Sequence, residues 1–388
     1  MKTILLSTIT IVSIISADGL NDTTSEIETL KAQMATMSSK LNELEKKKAT
    51  SQKMAKKPKG ITVKSHVPVL KFSGTHYLGF NHTKNGNGQT EDKFETRRNY
   101  FQVKAYFEEN PKSYLRITMD TFDEKDSNPN AGQTSLREKY AYLYLDNILP
   151  NTGIELGQTH RPWIDYEEHN SWYYRSISKT LVETGNGADL TNSADRGFDL
   201  KTKTPYFSSE LGLFDGEGYH NSDTNISNGT GLSAEWRLTT HLFGTGKEHT
   251  KKSLTYANLS FFGQENKKSE KHGAQDLNWM GLHAVYNQPE FLLAAQYIDV
   301  QDGIASKKGS GYSVNGEYRF APKWNALARY DYFDLDDNSG ERKRTIAGLS
   351  YEYNKNVEFI ANYRKEAGSK LSNTQKEDAL MLTADVEW

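Results

Sequence analysis

Basic residues alternate with apolar ones in several segments of this chain, for example over 98–107 and 115–119. In a β-strand, successive side chains point to opposite faces, so such segments place charge on one face and apolar groups on the other. Guanidinium groups stay charged at physiological pH and bind phosphate-like oxygens in a bidentate manner. The pattern predicts a path for anions along one face, carried by Arg98, Lys104, Arg116, Arg237, Arg319, Arg329 and Arg364.

Acidic residues share these faces and give the cations a second interpretation. Asp120, Glu235, Glu317 and Asp331 have the same parity and would neutralise neighbouring arginines within the wall. The whole chain has 48 basic and 50 acidic residues, so its overall charge does not favour anions. Both interpretations stay open at the level of sequence.

The same alternation continues from about residue 67 to the end of the chain, where Leu380, Leu382 and Ala384 face one way. We count about sixteen segments of roughly ten residues, the length that a tilted strand needs to cross a bilayer. Only 36% of the residues are hydrophobic, which suits strands that expose alternate residues to lipid. The prediction is an all-β fold: a transmembrane antiparallel up-and-down β-barrel of about 16 strands over 67–388.

The joins between these segments support the same fold. Short turns at 110–111, 203–205, 287–289, 321–322 and 354–356 alternate with longer polar stretches, although the join near 241–252 is longer than expected. An up-and-down barrel with turns at one rim and loops at the other has this alternation. The longer loops are predicted at 82–95, 124–134, 160–194, 215–229, 264–276, 301–309, 335–341 and 365–378.

The first 66 residues differ from the rest. Residues 1–17, with Lys2 followed by an apolar run and Ala17 as a small residue at a cleavage point, predict a signal peptide and export. Residues 18–48 predict a short periplasmic coiled-coil helix that would join three copies of the chain, and 49–66 a Lys-rich linker. A second interpretation of the linker is contact with anionic cell-wall polymer. The a/d positions of the coiled coil are Ile27, Leu30, Met34, Met37, Leu41 and Leu44.

Three short motifs resemble the phosphate-selective porin O and P family. They are Gly157-Gln158-x-x-Arg161-Pro162, the run 195–200 (Asp-Arg-Gly-Phe-Asp-Leu) and the run 213–218 (Leu-Phe-Asp-Gly-Glu-Gly). The family also has an arginine pair early in the second strand, which Arg97 and Arg98 match, and a heptad segment before the barrel. The resemblance implies a sixteen-stranded trimeric channel of the bacterial outer membrane, with Arg97 and Arg98 in the anion path.

Segment 160–194 is the third long loop, which porins of this kind fold into the barrel. It contains Arg161 and Arg175 together with three acids that we predict at a constriction, Asp165, Glu167 and Glu168. Facing acidic and basic groups at a narrow point would set ion selectivity through the local field. The alternative is an exposed surface loop with solvated charges.

The sequence does not favour an enzyme. His160, His169, His220 and His241 lie near acids, but no Gly-x-Ser-x-Gly or His-Glu-x-x-His motif accompanies them. The chain has no cysteine, which excludes disulfides and thiolate metal sites. We therefore predict no cofactor and no metal site, and no basic stripe indicates nucleic-acid binding.

The predicted function is a passive outer-membrane diffusion channel with weak anion preference, with phosphate as the family's suggestion. Its partners would be small ions or phosphate-like solutes, outer-membrane lipid and two further copies of the chain. Two alternatives stay open: a non-conducting structural or receptor barrel, and a general porin that prefers cations.

Overall fold

The computed structural model describes residues 31–40, 43, 69–123, 133–216, 218–219, 231–269, 275–304, 307–336 and 340–388. The chain divides into two compact units, residues 1–61 and 62–388. In the first unit, residues 31–40 form a helix, α1, on which Met34 and Met37 are exposed. Among the described residues, no helix is long and apolar enough to cross a membrane.

Several predictions for the N-terminal unit fall outside the described residues. The signal peptide, the linker and most of the heptad seam are not described, including Ile27, Leu30, Leu41 and Leu44. The coiled coil therefore remains a prediction.

The second unit is one closed barrel of sixteen antiparallel strands, which confirms the predicted fold class. Each strand pairs with its neighbours in the chain, and β1 closes the sheet on β16, where Leu78 lies opposite Ala384 and Phe80 opposite Leu382. The strands are β1 (Val69–Asn85), β2 (Thr90–Tyr106), β3 (Tyr114–Asp123), β4 (Thr134–Leu149), β5 (Thr152–His160), β6 (Ala194–Lys203), β7 (Phe207–Phe214), β8 (Ser233–His241), β9 (Tyr256–Ser269), β10 (Gln275–Gln288), β11 (Phe291–Asp302), β12 (Gly309–Ala321), β13 (Trp324–Leu335), β14 (Glu341–Asn354), β15 (Val357–Ala367) and β16 (Glu377–Glu387).

The barrel is apolar outside and polar inside, the reverse of a soluble protein. On β12, Ser313, Asn315 and Glu317 are buried, whereas Tyr312 and Val314 between them are exposed. Burial of polar groups facing a lumen and exposure of apolar groups is what the alternating sequence pattern predicts for a barrel in lipid. Exposed aromatic residues collect at the rim where both barrel ends of the chain lie: Tyr206, Tyr318, Trp324, Tyr353 and Trp388.

The joins separate into two sets, which define a turn rim and a loop rim. At the turn rim, five joins have only two or three residues, at 150–151, 204–206, 289–290, 322–323 and 355–356, while 242–255 is much longer. Two predicted loops were too long. The loop expected at 82–95 is only 86–89, because β1 and β2 continue pairing to Lys84 and Thr90. Likewise β9 and β10 pair as far as Ser269 and Gln275, within the loop expected at 264–276. Cross-strand hydrogen bonds outweigh the polar composition of these stretches.

Candidate ion path and constriction

The segment between β5 and β6, residues 161–193 and here called loop 3, folds into the barrel, and most of its side chains are buried. It begins with helix α2 (Pro162–Asn170), where Pro162 stands at the start and loses no intrahelical hydrogen bond there. Trp163 of this helix stacks on Phe262 of β9, with ring centroids 3.5 Å apart. Loop 3 therefore narrows the lumen.

Two apolar clusters hold loop 3 against one side of the barrel. In the first, Trp163, Leu181 and Leu190 pack with Trp279 and Phe333 on the inner faces of β10 and β13. The second brings Trp172, Tyr174 and Ile177 against Leu327, Ile346, Ile360 and Met381 of β13 to β16. The inner faces of β1 to β4 take no part in either cluster, and this wall is the candidate ion path.

Three cations lie side by side on that wall. Lys71 is opposite Lys104 in the β1–β2 register, and Lys104 is opposite Arg116 in the β2–β3 register. The three have no salt bridge within the described part of the chain; each instead lies over a tyrosine ring. Arg116 also donates to the Tyr142 hydroxyl at 3.2 Å. We call Lys71, Lys104 and Arg116 the cation row.

Two further cations, Arg98 and Lys139, lie around Tyr100. The Arg98 guanidinium is 4.6 Å from the centre of the Tyr100 ring, and the Lys139 ammonium is 5.0 Å from it. Within the described ranges, neither cation has a hydrogen bond or an ion pair, and the buried Tyr100 hydroxyl has no partner. Arg98, Lys139 and Tyr100 are here called the Tyr100 group.

Two β-bulges turn extra cations toward the lumen. The β1–β2 register shifts between Tyr77 and Leu78, which leaves Arg97 unpaired beside Arg98. The β3–β4 register shifts at Thr118 and leaves Lys139 unpaired in the same way. A bulged residue escapes the strict alternation of a strand, so both side chains can point inward.

Arg97 uses its inward position to hold loop 3 rather than to face the path. Its Nη1 donates to the backbone oxygen of Ser176 at 3.1 Å and to Thr383 Oγ1 at 2.7 Å. Its Nε pairs with Glu95 at 2.7 Å. The resemblance placed Arg97 and Arg98 together in the anion path, but in the structure only Arg98 is left without an acid.

The other predicted cations are neutralised by acids. Arg161 and Arg329 are almost fully buried: Arg161 pairs with Asp195 at 2.7 Å and Glu235 at 2.9 Å. Arg329 pairs with Asp331 at 2.8 Å. The remaining pairs are Arg237 with Glu210, Arg319 with Glu317, Arg364 with Glu377, and Arg175 with Glu168 and Glu183. These arginines belong to ion pairs of the wall or of loop 3, because neighbouring carboxylates balance their charge.

The three loop 3 acids that were predicted at the constriction have three different environments. Asp165 is partly exposed, at 27%, between His160 and His169. Glu168 pairs with Arg175. Glu167 is turned into the wall, where Gln296 donates to its Oε1 at 2.9 Å while its Oε2 has no partner. Burial raises the pKa of the Glu167 carboxyl to about 7, although Arg329 acts in the opposite direction. Glu167 therefore does not face the path, in contrast to the prediction.

Sequence reasoning missed Lys71 and Lys139. Lys71 stands near the start of the first strand, where its parity could have been read, since Phe72 beside it faces outward. Lys139 could not be found in this way, because the bulge hides its orientation.

The histidines belong to hydrogen-bond networks in the wall and loop 3. Arg116 Nη1 lies 2.9 Å from His160 Nε2, and His241 lies between Ser208 Oγ at 2.8 Å and Asn258 Oδ1 at 2.9 Å. His220 is outside the described residues. In the described ranges, no group of three or more His, Asp or Glu side chains could hold a metal ion.

The barrel is similar to several solved outer-membrane proteins at low sequence identity. Pseudomonas putida OprB aligns with a TM-score of 0.61 at 8% identity, covering 82% of this chain and 94% of that one. An anion-selective porin from Comamonas acidovorans aligns at 0.57 and 11% identity, over 82% and 99% of the two chains. OmpT of Vibrio cholerae aligns at 0.55 and 12% identity, over 84% and 100%.

The likeness concerns the fold. No model of a protein family matches the sequence, and no relative is found among curated protein sequences. The resemblance to the phosphate-selective porins thus remains a prediction.

Proposed function

We propose that this chain is an outer-membrane channel for the passive diffusion of small hydrophilic solutes, with a weak preference for anions. The observation that carries the proposal is the asymmetry of the lumen wall. Loop 3 covers the inner faces of β10 and of β13 to β16, and the arginines of that side are paired with acids. On β1 to β4, Arg97 and Arg137 pair with acids. The other cations of the inner face have no acid partner in the described part of the chain: Lys71, Arg98, Lys104, Arg116 and Lys139.

An uncompensated cation is costly in a wall away from bulk water, and a passing anion relieves that cost. Arg98 of the Tyr100 group and Lys104 of the cation row are six residues apart along β2, roughly 20 Å. The Tyr140 ring lies between the two sets, 4.5 Å from the Arg116 guanidinium and 5.4 Å from the Lys139 ammonium. These two sets of donors in series attract an anion without retaining it, because the anion can move from the first set to the second. Ring faces occupied by Lys and Arg keep those side chains extended toward the path.

Phosphate specificity is the finer form of this proposal, and weak anion preference is the form that we favour. Phosphate selection would need arginine forks aimed at one point. Of the described arginines on this wall, Arg98 and Arg116 are the ones without acid partners. Arg98 belongs to the Tyr100 group and Arg116 to the cation row, so they are not aimed at one point. A general anion path needs only their charge.

The outer membrane is the proposed location, because the outer face is apolar and exposed aromatic residues surround the turn rim, as expected at a membrane interface. Conduction tests the channel directly. Purified protein added to a planar bilayer should give stepwise increases in conductance. A protein that inserts, judged by heat-modifiable migration in gels, but stays electrically silent would instead be the structural or receptor barrel.

A homotrimer is the proposed assembly, joined through the heptad seam, as the resemblance implies. Three short helices that are tied to associating barrels gain effective concentration, which offsets their marginal length. The full-length protein should have a trimeric mass in mild detergent, and removal of residues 18–60 should weaken the trimer while each barrel stays folded. A monomeric mass for the full-length chain would contradict the trimer.

A further inference from the structure

The connection between β8 and β9, residues 242–255, is longer than any other join at the turn rim. The hairpin itself does not need this length, since the Leu242 N–H already donates to the Ala257 carbonyl at 2.8 Å. Antiparallel strands in such register are commonly joined by two residues. The extra residues must therefore have another role, and we call them the strap.

The backbone of the strap is bound to inward-facing side chains of the barrel. Arg319 Nη1 donates to the Lys252 carbonyl oxygen at 3.1 Å, and Asn287 Nδ2 donates to the same oxygen at 3.2 Å. Asn287 also donates to the Leu254 carbonyl at 2.5 Å. Asn287 is fully buried on the inner face of β10. Residues 252–254 of the strap consequently lie inside the mouth of the barrel instead of projecting beyond the turn rim.

The Lys252 side chain then reaches across several strands. Its ammonium lies 3.5 Å from Glu317 of β12, 3.2 Å from Glu352 of β14 and 3.4 Å from Glu358 of β15. One cation among three carboxylates is held more firmly than an isolated surface pair, because every displacement that weakens one contact leaves two others. Lys252 therefore fastens a connection that begins at β8 to the opposite part of the mouth.

The strap also supports loop 3 from the turn-rim side. Thr250 Oγ1 of the strap donates to Asn170 Oδ1 at 2.9 Å. Next to the strap, Tyr256 at the start of β9 donates through Oη to the Asn170 carbonyl at 2.5 Å. Asn170 ends helix α2 of loop 3. The constriction made by loop 3 and the strap below it form one hydrogen-bonded unit.

We propose that the strap, residues 242–255, is a second pore-limiting element. The ion pairs of Lys252 with Glu317, Glu352 and Glu358 hold it in place. A solute that passes loop 3 meets the strap before it leaves through the turn rim. The two narrow sections act in series, so loss of the strap widens the exit and also loosens loop 3. This role goes beyond anion preference, because it concerns the size of what passes.

Three variants of the full-length protein test the ion pairs of Lys252. Lys252→Met keeps the length of the side chain and removes its charge, Lys252→Arg keeps the charge, and Lys251→Met changes the neighbouring exposed lysine as a matched control. Single-channel conductance and the size limit for neutral polyethylene glycols are measured for all three. Lys252→Met should raise conductance by about twofold and admit larger polymers, because the narrowest section sets both quantities. Lys251→Met and Lys252→Arg should behave as the unchanged protein does.

A shortened connection gives an independent test if Lys252→Met folds poorly. Residues 243–255 are replaced by Asn-Gly, which together with Tyr256 gives a three-residue hairpin loop and leaves the contacts of Tyr256 with loop 3 in place. The shortened barrel should show the same wider size limit as Lys252→Met. An unchanged size limit in the folded, shortened barrel would overturn the proposal, and so would an equal effect of Lys251→Met and Lys252→Met.

Discussion

Lys104 of β2 lies directly opposite Arg116 of β3, and neither forms a salt bridge with any described carboxylate. Like charges in opposite positions of an antiparallel pair destabilise the sheet by roughly 0.2–1 kcal/mol. Tyr114 and Tyr140, over which the two cations lie, lower this cost. An acid in this place would relieve the repulsion. Its absence among the described residues, on a wall outside both apolar clusters of loop 3, fits the proposal that a passing anion is the counter-ion.

The anchoring of loop 3 gives the first prediction. Trp163→Ala removes the ring that stacks on Phe262, and loss of a buried tryptophan costs about 3–5 kcal/mol. We expect loop 3 to detach while the barrel stays closed, so conductance rises and protease cleaves within 161–193. Trp324→Ala, at an outward-facing residue of the turn rim, is the control. Equal protease resistance of both variants would show that the stack does not hold the loop.

The buried Glu167 gives the second prediction, on pH. Its pKa of about 7 lies above the ordinary value of 4.5, so the docked loop favours the protonated carboxyl. The stabilisation is complete below about pH 4.5 and is lost as the pH rises through about 7, with an upper limit on the order of 3 kcal/mol. Protease cleavage of loop 3 and current noise should therefore increase between pH 5 and pH 8.

Glu167→Gln is the matched variant for that pH dependence. The neutral amide keeps a hydrogen bond with Gln296 and cannot ionise. Cleavage of loop 3 in this variant should be the same at pH 5 and pH 8. A pH dependence that survives the substitution would assign the effect to another group.

Gly157 gives the third prediction, on folding. Its φ is +125°, and a Cβ there would lie 2.4 Å from the Ala141 carbonyl oxygen. Gly157→Ala should disrupt the β4–β5 pairing and sharply reduce the yield of refolded barrel in detergent. The control is Gly88→Ala, where φ is +82° but no atom lies within 4 Å of the added carbon; only the backbone strain of about 1–2 kcal/mol remains. Similar yields for the two variants would contradict the steric account.

The strands could be predicted from the sequence because lipid and lumen impose opposite preferences on alternate residues. Leu380 and Leu382 are exposed on β16 and Met381 between them is buried, as the pattern indicates. The same rule places Arg98, Lys104 and Arg116 on the inner face. Strand parity is a local property, so the local sequence is enough.

Ion pairs within one strand face could be predicted from parity, as for Arg319 with Glu317 and Arg329 with Asp331. Pairs between segments that are distant along the chain could not. Arg161 finds Glu235 and Arg329 finds Glu167 only after the sheet closes and loop 3 docks. The bulges at Arg97 and Lys139 break the alternation at one residue each, without a signal in composition. The strap is the intermediate case: its unusual length was visible, and its inward course was not.

Ion selectivity tests the central claim most directly. The zero-current potential across a salt gradient should have the sign of an anion-preferring channel. Arg98→Gln together with Lys139→Gln should move it toward cations, because only charges within a Debye length of about 8 Å act strongly on a passing ion. Lys365→Gln removes a charge from the outer face and should change nothing. A cation-preferring sign in the unchanged protein, or a potential that both inner substitutions leave unaltered, would contradict the account.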